Sequence, residues 1–319
     1  MDKRVIPIGG YFSLELPKYE EFHKEAIRLN TGRNCLEYIF RVRKYKKVYI
    51  PYYTCEVILE PLQKLNIPYE FYHINFYLEL THEIKLNTNE ALLYTNYFGL
   101  KQRYVEQLVE KYQGQLIVDN TQAFYAKPFE GIDTFYTCRK FFGVPDGAYL
   151  NTSAKLDEDF EQDYSYNRMT HLLKRIDLSA EDGFADFRRN DDNLNNQPIR
   201  RMSALTQRMM QSIDYGRVAQ QRRENYSFLH RLLGTINKLS LPLDDEAVPM
   251  AYPFLASIEG LREKLIENKV FVPRYWPNVL DWTAKDEIEY RLTCQMQPLP
   301  IDQRYGAEEI KRIVDIINQ

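Results

Sequence analysis

The sequence predicts an α/β fold: a three-layer αβα arrangement around a mostly parallel central sheet, followed by a small C-terminal α+β domain. Two patterns predict it. In the first half, short apolar runs rich in β-branched and aromatic residues alternate with segments whose apolar residues recur at helical spacing. Strand–helix–strand repetition of that kind builds parallel sheets covered on both faces. After a polar stretch and a long helical one, the alternation resumes from Tyr252 onward. A length of 319 residues suits about two domains, expected at 1–225 and 226–319.

Residues 47–50 form a β-rich run ended by Pro51, and 54–62 follow at helical spacing through Val57, Ile58 and Leu62, with Pro61 expected to kink or end the helix. Strands are expected at 68–72, 91–94 and 115–119, with a helix at 104–112 closed by Gly114. Two more strands, 134–136 and 148–150, are separated by the Pro145-Asp146-Gly147 turn. Residues 178–198 are polar, with Asp191-Asp192-Asn193 and Asn195-Asn196-Gln197, and read as a long exposed or interface loop. Residues 200–233 read as a long helix or a helical pair, with Met202, Leu205, Met209 and Ile213 on one face. The remainder reads as strand 252–258, helix 261–268, strand 270–272 and helix 307–317.

Composition narrows the function classes. The 42 Lys+Arg against 45 Asp+Glu give a net charge of −3, which predicts no long-range attraction to nucleic acid or to an anionic membrane. The 25 Tyr and 17 Phe supply packed cores, whereas 13 Gly and 15 Pro are too few for a low-complexity chain. No stretch approaches the ~20 apolar residues of a membrane span, and the start, from Met1 through Pro7 to Gly10, lacks the apolar run of a secretory signal. Cys35, Cys55, Cys138 and Cys294 show neither close pairing nor zinc spacing and read as reduced thiols in a cytoplasmic protein. The five histidines have no metal-ligand spacing and read as surface or capping residues, so no metal site is expected.

Three segments carry chemistry. Thr31-Gly32-Arg33-Asn34 feeds the helical stretch 35–43, and a helix N-terminus there offers free N–H groups and a positive dipole end to a phosphate; an ordinary Thr/Asn cap is the plainer reading. Asp119 closes a strongly apolar strand, at the edge where parallel sheets receive ligands, together with Asn96 and residues 51–54; a turn cap is the alternative. Lys140 follows Thr137 and sits among Tyr136, Phe141 and Phe142, where burial would lower its pKa and free a nucleophilic amine; a surface lysine at a turn is the alternative. Phosphate cradle, carboxylate and lysine, in that order, are what a pyridoxal phosphate site requires, the acid holding the ring nitrogen and the lysine meeting the aldehyde.

At this point the chain resembles the DegT/DnrJ/StrS sugar aminotransferases, which are fold-type-I pyridoxal phosphate enzymes. The likeness runs over nearly the whole length: residues 30–36 (Asn-Thr-Gly-Arg-Asn-Cys-Leu) resemble the family's phosphate turn, and 48–54 its Pro-x-x-Thr strand and turn. Residues 94–99 are similar to its His/Asn-x-x-Gly loop, 118–123 to its Asp-x-x-Gln-Ala signature, and Arg201-Met202-Ser203 to its Arg-Met-Ser. Residues 297–301 with 307–310 resemble its Leu-Pro-Ile and closing helix. The resemblance implies that Lys140 carries the cofactor covalently and shuttles the proton, that Asp119 pairs with the pyridine nitrogen, and that Gln122 contacts the ring or its 3-oxygen. It further implies that Thr31, Gly32 and Thr137 hold phosphate and that Tyr53 and Asn96 line the pocket. Cys55 stands in this set where the family has an aromatic that stacks on the cofactor, with Tyr52 or Tyr53 the substitute ring, and Ile199 stands where the family reaches across its dimer with Asn. Tyr52, Arg200 and Arg201 are candidate substrate contacts; Arg188-Arg189 and Arg200-Arg201 read either as partners of a nucleotide diphosphate or as pairs with Asp191-Asp192.

The activity so implied is amination of a keto-sugar, nucleotide-linked, with glutamate as donor, in bacterial glycan or amino-sugar biosynthesis, by a homodimer. Two other readings stay open. One keeps the cofactor but performs elimination or isomerisation on a sugar, as a dehydratase or isomerase. The other is a non-catalytic member acting as a binding or assembly partner.

Overall fold

The computed structural model describes residues 8–239 and 241–319. Met1 to Pro7, part of the start that lacks the apolar run of a secretory signal, lie outside the described residues. The chain runs β1 (Ile27–Leu29), α1 (Gly32–Arg43), β2 (Lys47–Pro51), α2 (Leu59–Lys64), β3 (Tyr69–Tyr72), β4 (Glu90–Thr95), α3 (Gln102–Tyr112), β5 (Leu116–Asp119), β6 (Asp133–Thr137) and β7 (Ala148–Asn151). There follow α4 (Thr170–Asp177), α5 (Ala180–Asn193), α6 (Ala204–Met210), α7 (Tyr215–Leu233), β8 (Tyr252–Phe254), α8 (Leu261–Glu267), α9 (Val279–Trp282), α10 (Ile288–Gln295), β9 (Gln297–Leu299) and α11 (Ala307–Asn318).

Seven strands form one sheet in the order β1-β7-β6-β5-β4-β2-β3. Strands β2 to β6 run parallel, and β7 lies antiparallel to both of its neighbours. The apolar runs have a direct cause, since both faces of the sheet are covered. Ala91, Leu93, Ile117, Phe135 and Leu150 pack with Leu36, Ile39 and Phe40 of α1 and Leu62 of α2. The alternate residues, Leu92, Tyr94, Val118, Tyr136 and Tyr149, face the opposite way into a core shared with Val105 and Leu108 of α3 and with the C-terminal elements. Three layers result, as the sequence predicts. The two-stranded β8–β9 sheet carries α8 to α11 around it, and α7 runs across residue 225.

Several expectations need correction. Residues 178–198 are largely helical: Ser179 accepts from the Asp182 N–H at 3.1 Å and so caps α5, and Glu181 and Asp182 suit its first-turn dipole. Residues 200–233 take the second of their two expected forms, a helical pair, broken before Asp214, whose side chain caps α7 by accepting from the Arg217 N–H. Pro61 neither kinks nor ends its helix, because it sits in the first turn of α2, where a missing N–H costs nothing. Residues 270–272 are not a strand; the partner of β8 is β9, and β8 itself stops at Phe254. His23 is no surface residue. It is buried, its ring 4.0 Å from that of Tyr136, and Nε2 lies 2.7 Å from the Phe124 carbonyl oxygen. His171 is buried as well. Among the described residues no helix is long and apolar enough to cross a membrane.

Candidate active site

Asp119 ends β5 two residues after Ile117 and so belongs to the face covered by α1, beyond the carboxyl ends of the parallel strands. The turn that follows brings Thr121 back over it, and the Thr121 N–H donates to Asp119 Oδ1 at 2.8 Å. On the neighbouring strand, Thr137 ends β6, and the turn after it delivers Arg139 and Lys140. The Lys140 ammonium donates to Thr121 Oγ1 at 3.0 Å, so a single threonine stands between amine and acid. Thr31 caps α1 by accepting from the Asn34 N–H at 3.2 Å, which aims the helix N-terminus at the same place.

These side chains line one cavity of about 250 Å³, with Thr31, Gly32, Cys55, Asp119, Thr121, Thr137, Lys140 and Trp276 among its walls. Burial lowers the Lys140 pKa, while the Asp119 charge opposes the fall. Burial likewise raises the Asp119 pKa, held back first by Lys140 and then by its bond to Thr121. The Cys55 thiol is pushed up by burial, against a hydrogen bond from the Val57 backbone and the nearby Lys140 charge. The cavity therefore holds a desolvated amine facing a carboxylate, with hydroxyls and unspent backbone N–H groups at one end. Such a donor set fits an anionic ester carried on a ring that offers an aldehyde and a basic nitrogen.

Thr31, Gly32, Cys55, Asp119, Thr137 and Lys140 are thus brought together. The other sequence candidates lie elsewhere. The Asn96 side chain holds the start of α3, accepting from the Lys101 N–H at 3.1 Å and donating to Gln102 at 3.0 Å. Gln122 Oε1 accepts from the Phe98 N–H at 2.8 Å, and its Nε2 has no partner among the described residues. Tyr53 is buried edge-on to Trp276, at 5.0 Å. Tyr52 stacks on Phe71 at 4.6 Å. Arg201 pairs with Asp159 and Arg200 reaches Glu161 at 3.8 Å, both away from this cavity. Arg189 pairs with Asp186, not with Asp191 or Asp192.

Two residues escaped the sequence reading. Thr121 lay inside the Asp-Asn-Thr-Gln-Ala segment, where a hydroxyl two residues past the acid was the available signal. Trp276 arrives from the other end of the chain. The Asn278 amide donates to the Thr54 carbonyl at 2.9 Å and seats that segment over the Pro51–Thr54 turn, a placement that no local pattern foretells.

No protein-family model matches the chain, and no curated protein does. Solved structures do, at about 12% identity, which establishes the fold. A DegT DnrJ EryC1 StrS aminotransferase from Brucella abortus is 12% identical with a TM-score of 0.60, over 92% of this chain and 85% of that one. The sugar aminotransferase CalS13 from Micromonospora echinospora is 11% identical with a TM-score of 0.60, over 92% and 87%. NtdA from Bacillus subtilis, solved with bound cofactor PMP, is 13% identical with a TM-score of 0.61, over 92% and 73%. The structural neighbours are sugar aminotransferases of the DegT/DnrJ/EryC1/StrS type, and the seven-stranded sheet is the one they share.

Proposed function

We propose that this chain is a pyridoxal phosphate-dependent aminotransferase acting on a keto-sugar, with glutamate as amino donor and the sugar carried on a nucleotide. We further propose that it works as a cytoplasmic homodimer in bacterial glycan or amino-sugar biosynthesis. One observation carries the reading: the buried Lys140 amine and the buried Asp119 carboxylate line one cavity, beside the N-terminus of a twelve-residue helix.

When bound, pyridoxal phosphate supplies an electron sink that makes the carbon–hydrogen bond next to the amine acidic. The rest falls to this chain. The first-turn N–H groups of α1, with Thr31 and Thr137, would hold the phosphate. The Asp119 carboxylate, whose pKa burial raises while Lys140 and the Thr121 N–H hold the rise back, would pair with the ring nitrogen and hold a proton there. Lys140 Nζ, its pKa lowered by burial against the opposing charge of Asp119, would attack a carbonyl and move a proton between neighbouring atoms. Trp276 and Leu36 would exclude water from that exchange.

The test is spectroscopic. Protein mixed with pyridoxal phosphate should gain a visible absorption band, borohydride should fix the label on the peptide containing Lys140, and Lys140→Ala should abolish both. No band, or a label on another lysine, overturns the reading. Transfer of ¹⁵N from glutamate to a keto-sugar separates transamination from elimination or isomerisation. A non-catalytic role is favoured by Gln122 and Asn96, whose side chains serve the backbone. That role requires no thermal shift on adding the cofactor.

A further inference from the structure

His73 directly follows the edge strand β3 and faces the start of α10, although 216 residues separate it from Glu289. Its Nδ1 lies 3.3 Å from both carboxylate oxygens of Glu289 and 3.6 Å from Oε2 of Glu287. One ligand atom from each of the three residues falls within 4.8 Å of the others. None of the three lines the Lys140 cavity.

Structural duties account for only part of this grouping. Glu287 is the N-cap residue of α10, yet its side chain caps nothing and turns toward His73 instead. Glu289 is fully buried. Its Oε1 accepts from the Ile74 N–H at 2.7 Å, but Oε2 has no donor other than the imidazole, and no lysine or arginine lies within 4.0 Å among the described residues. A buried carboxylate without a lasting positive partner is costly. Protonating His73 does not balance the site, because two carboxylates then face one positive charge.

The spacing suits a metal ion. With zinc about 2.0–2.2 Å from an imidazole nitrogen or a carboxylate oxygen, two ligand atoms at the tetrahedral angle stand roughly 3.4 Å apart. The distances from His73 are 3.3 and 3.6 Å. Two of the ligands are also held from behind, as metal ligands commonly are: the Tyr52 ring lies 4.5 Å from that of His73, and the Ile74 N–H fixes Glu289. We propose that His73, Glu287 and Glu289 bind one divalent metal ion of zinc's chemistry, which fastens α10 to the edge of the central sheet. A water would fill the fourth position, on the side where His73 and Glu287 are 36% and 43% exposed. One nitrogen with two carboxylates suits zinc or cobalt, whereas calcium and magnesium take six or more oxygens.

The experiment is titration of the full chain, freed of metal by a chelator, with cobalt(II), followed by the visible absorption of the tetrahedral ion. One equivalent of cobalt is expected to saturate the band, one of zinc to abolish it, and millimolar magnesium or calcium to leave it unchanged. Cobalt at about a hundredfold excess over Kd should raise the melting temperature by about 4 °C. Because Glu289 also holds the backbone, the variants fall on the other two ligands. His73→Ala is expected to weaken cobalt at least thirtyfold and Glu287→Gln at least tenfold. Glu287→Gln should leave the melting temperature of the metal-free protein unchanged. No band at one equivalent, displacement by magnesium, or full affinity in either variant overturns the site. The cofactor takes no part in this test, so the site holds or fails apart from the aminotransferase reading.

Discussion

Burial and a single opposite charge decide how Lys140 behaves. Burial pushes its pKa down and Asp119 pulls it back up, so removing the acid should let it fall further. In the protein without cofactor, the pH dependence of Lys140 acylation, followed by mass spectrometry, is expected to show a midpoint below the ~10.4 of an ordinary lysine. Asp119→Asn should move that midpoint lower still, and an upward move would break the proposed coupling. His23 makes a second residue-scale case. Burial against Phe124, Tyr136 and Tyr149 lowers its pKa from 6.5 to about 4, despite the carbonyl beside it. The folded state then resists a proton that the unfolded chain accepts. Stability from this site is fully present above about pH 6.5 and drains away as the pH falls toward 4, by about 3 kcal/mol in all. Urea midpoints across that range should fall less steeply in His23→Gln, and equal slopes in the two proteins would remove His23 from the account.

At the scale of elements, the hairpin of α4 and α5 depends on one close approach. A Cβ on Gly183 would meet the His171 carbonyl oxygen at 2.9 Å, whereas one on Gly216 in α7 would meet nothing nearer than 3.6 Å. Alanine improves helix propensity by about 1 kcal/mol at either place. Gly216→Ala should therefore be neutral or slightly stabilising, and Gly183→Ala should cost roughly 1–3 kcal/mol because backbone, not a flexible side chain, stands in the way. Thermal melts of the two variants check the pair. The same hairpin shows why some elements were legible and others not. Strands β4 and β5 announce themselves because both sheet faces are buried, so Leu92, Leu93, Ile117 and Val118 read as unbroken apolar runs. Helix α5 has few buried side chains, among them Asp186 and Asn190, and its polar composition reads as a loop. The cavity was half-legible for a related reason. Thr31, Asp119 and Lys140 sit at ends of elements whose order the sequence reveals, whereas Trp276 enters through tertiary packing between distant segments.

Across the whole molecule, the core does not stop where the central sheet ends. Leu92, Tyr94 and Val118 of the sheet, Leu229 and Leu233 of α7, Tyr252 and Phe254 of β8, Leu292 of α10 and Ile310 of α11 form one contiguous apolar cluster. A polar tie adds to it at the edge strand: Glu289 of α10, fully buried, accepts from the Ile74 N–H at 2.7 Å and lies 3.3 Å from His73 Nδ1. His73, Glu287 and Glu289 bring ligand atoms within 4.8 Å of one another, a grouping that spacing in the sequence did not announce. Here Glu289 serves the backbone of the segment after β3. A core continuous through α7 should unfold as one unit, since neither part buries its apolar surface without the other. Trp276 and Trp282 both lie in the C-terminal part, so their emission reports on that part, while far-UV circular dichroism reports on the whole. The two signals are expected to change together in urea. Glu289→Ala leaves the Ile74 N–H buried without its acceptor, at about 1–3 kcal/mol. It should shift both curves to lower urea by the same amount. Emission that changes ahead of the circular dichroism, in either protein, would mean that the C-terminal elements unfold independently and that the cavity loses Trp276 before it loses Lys140.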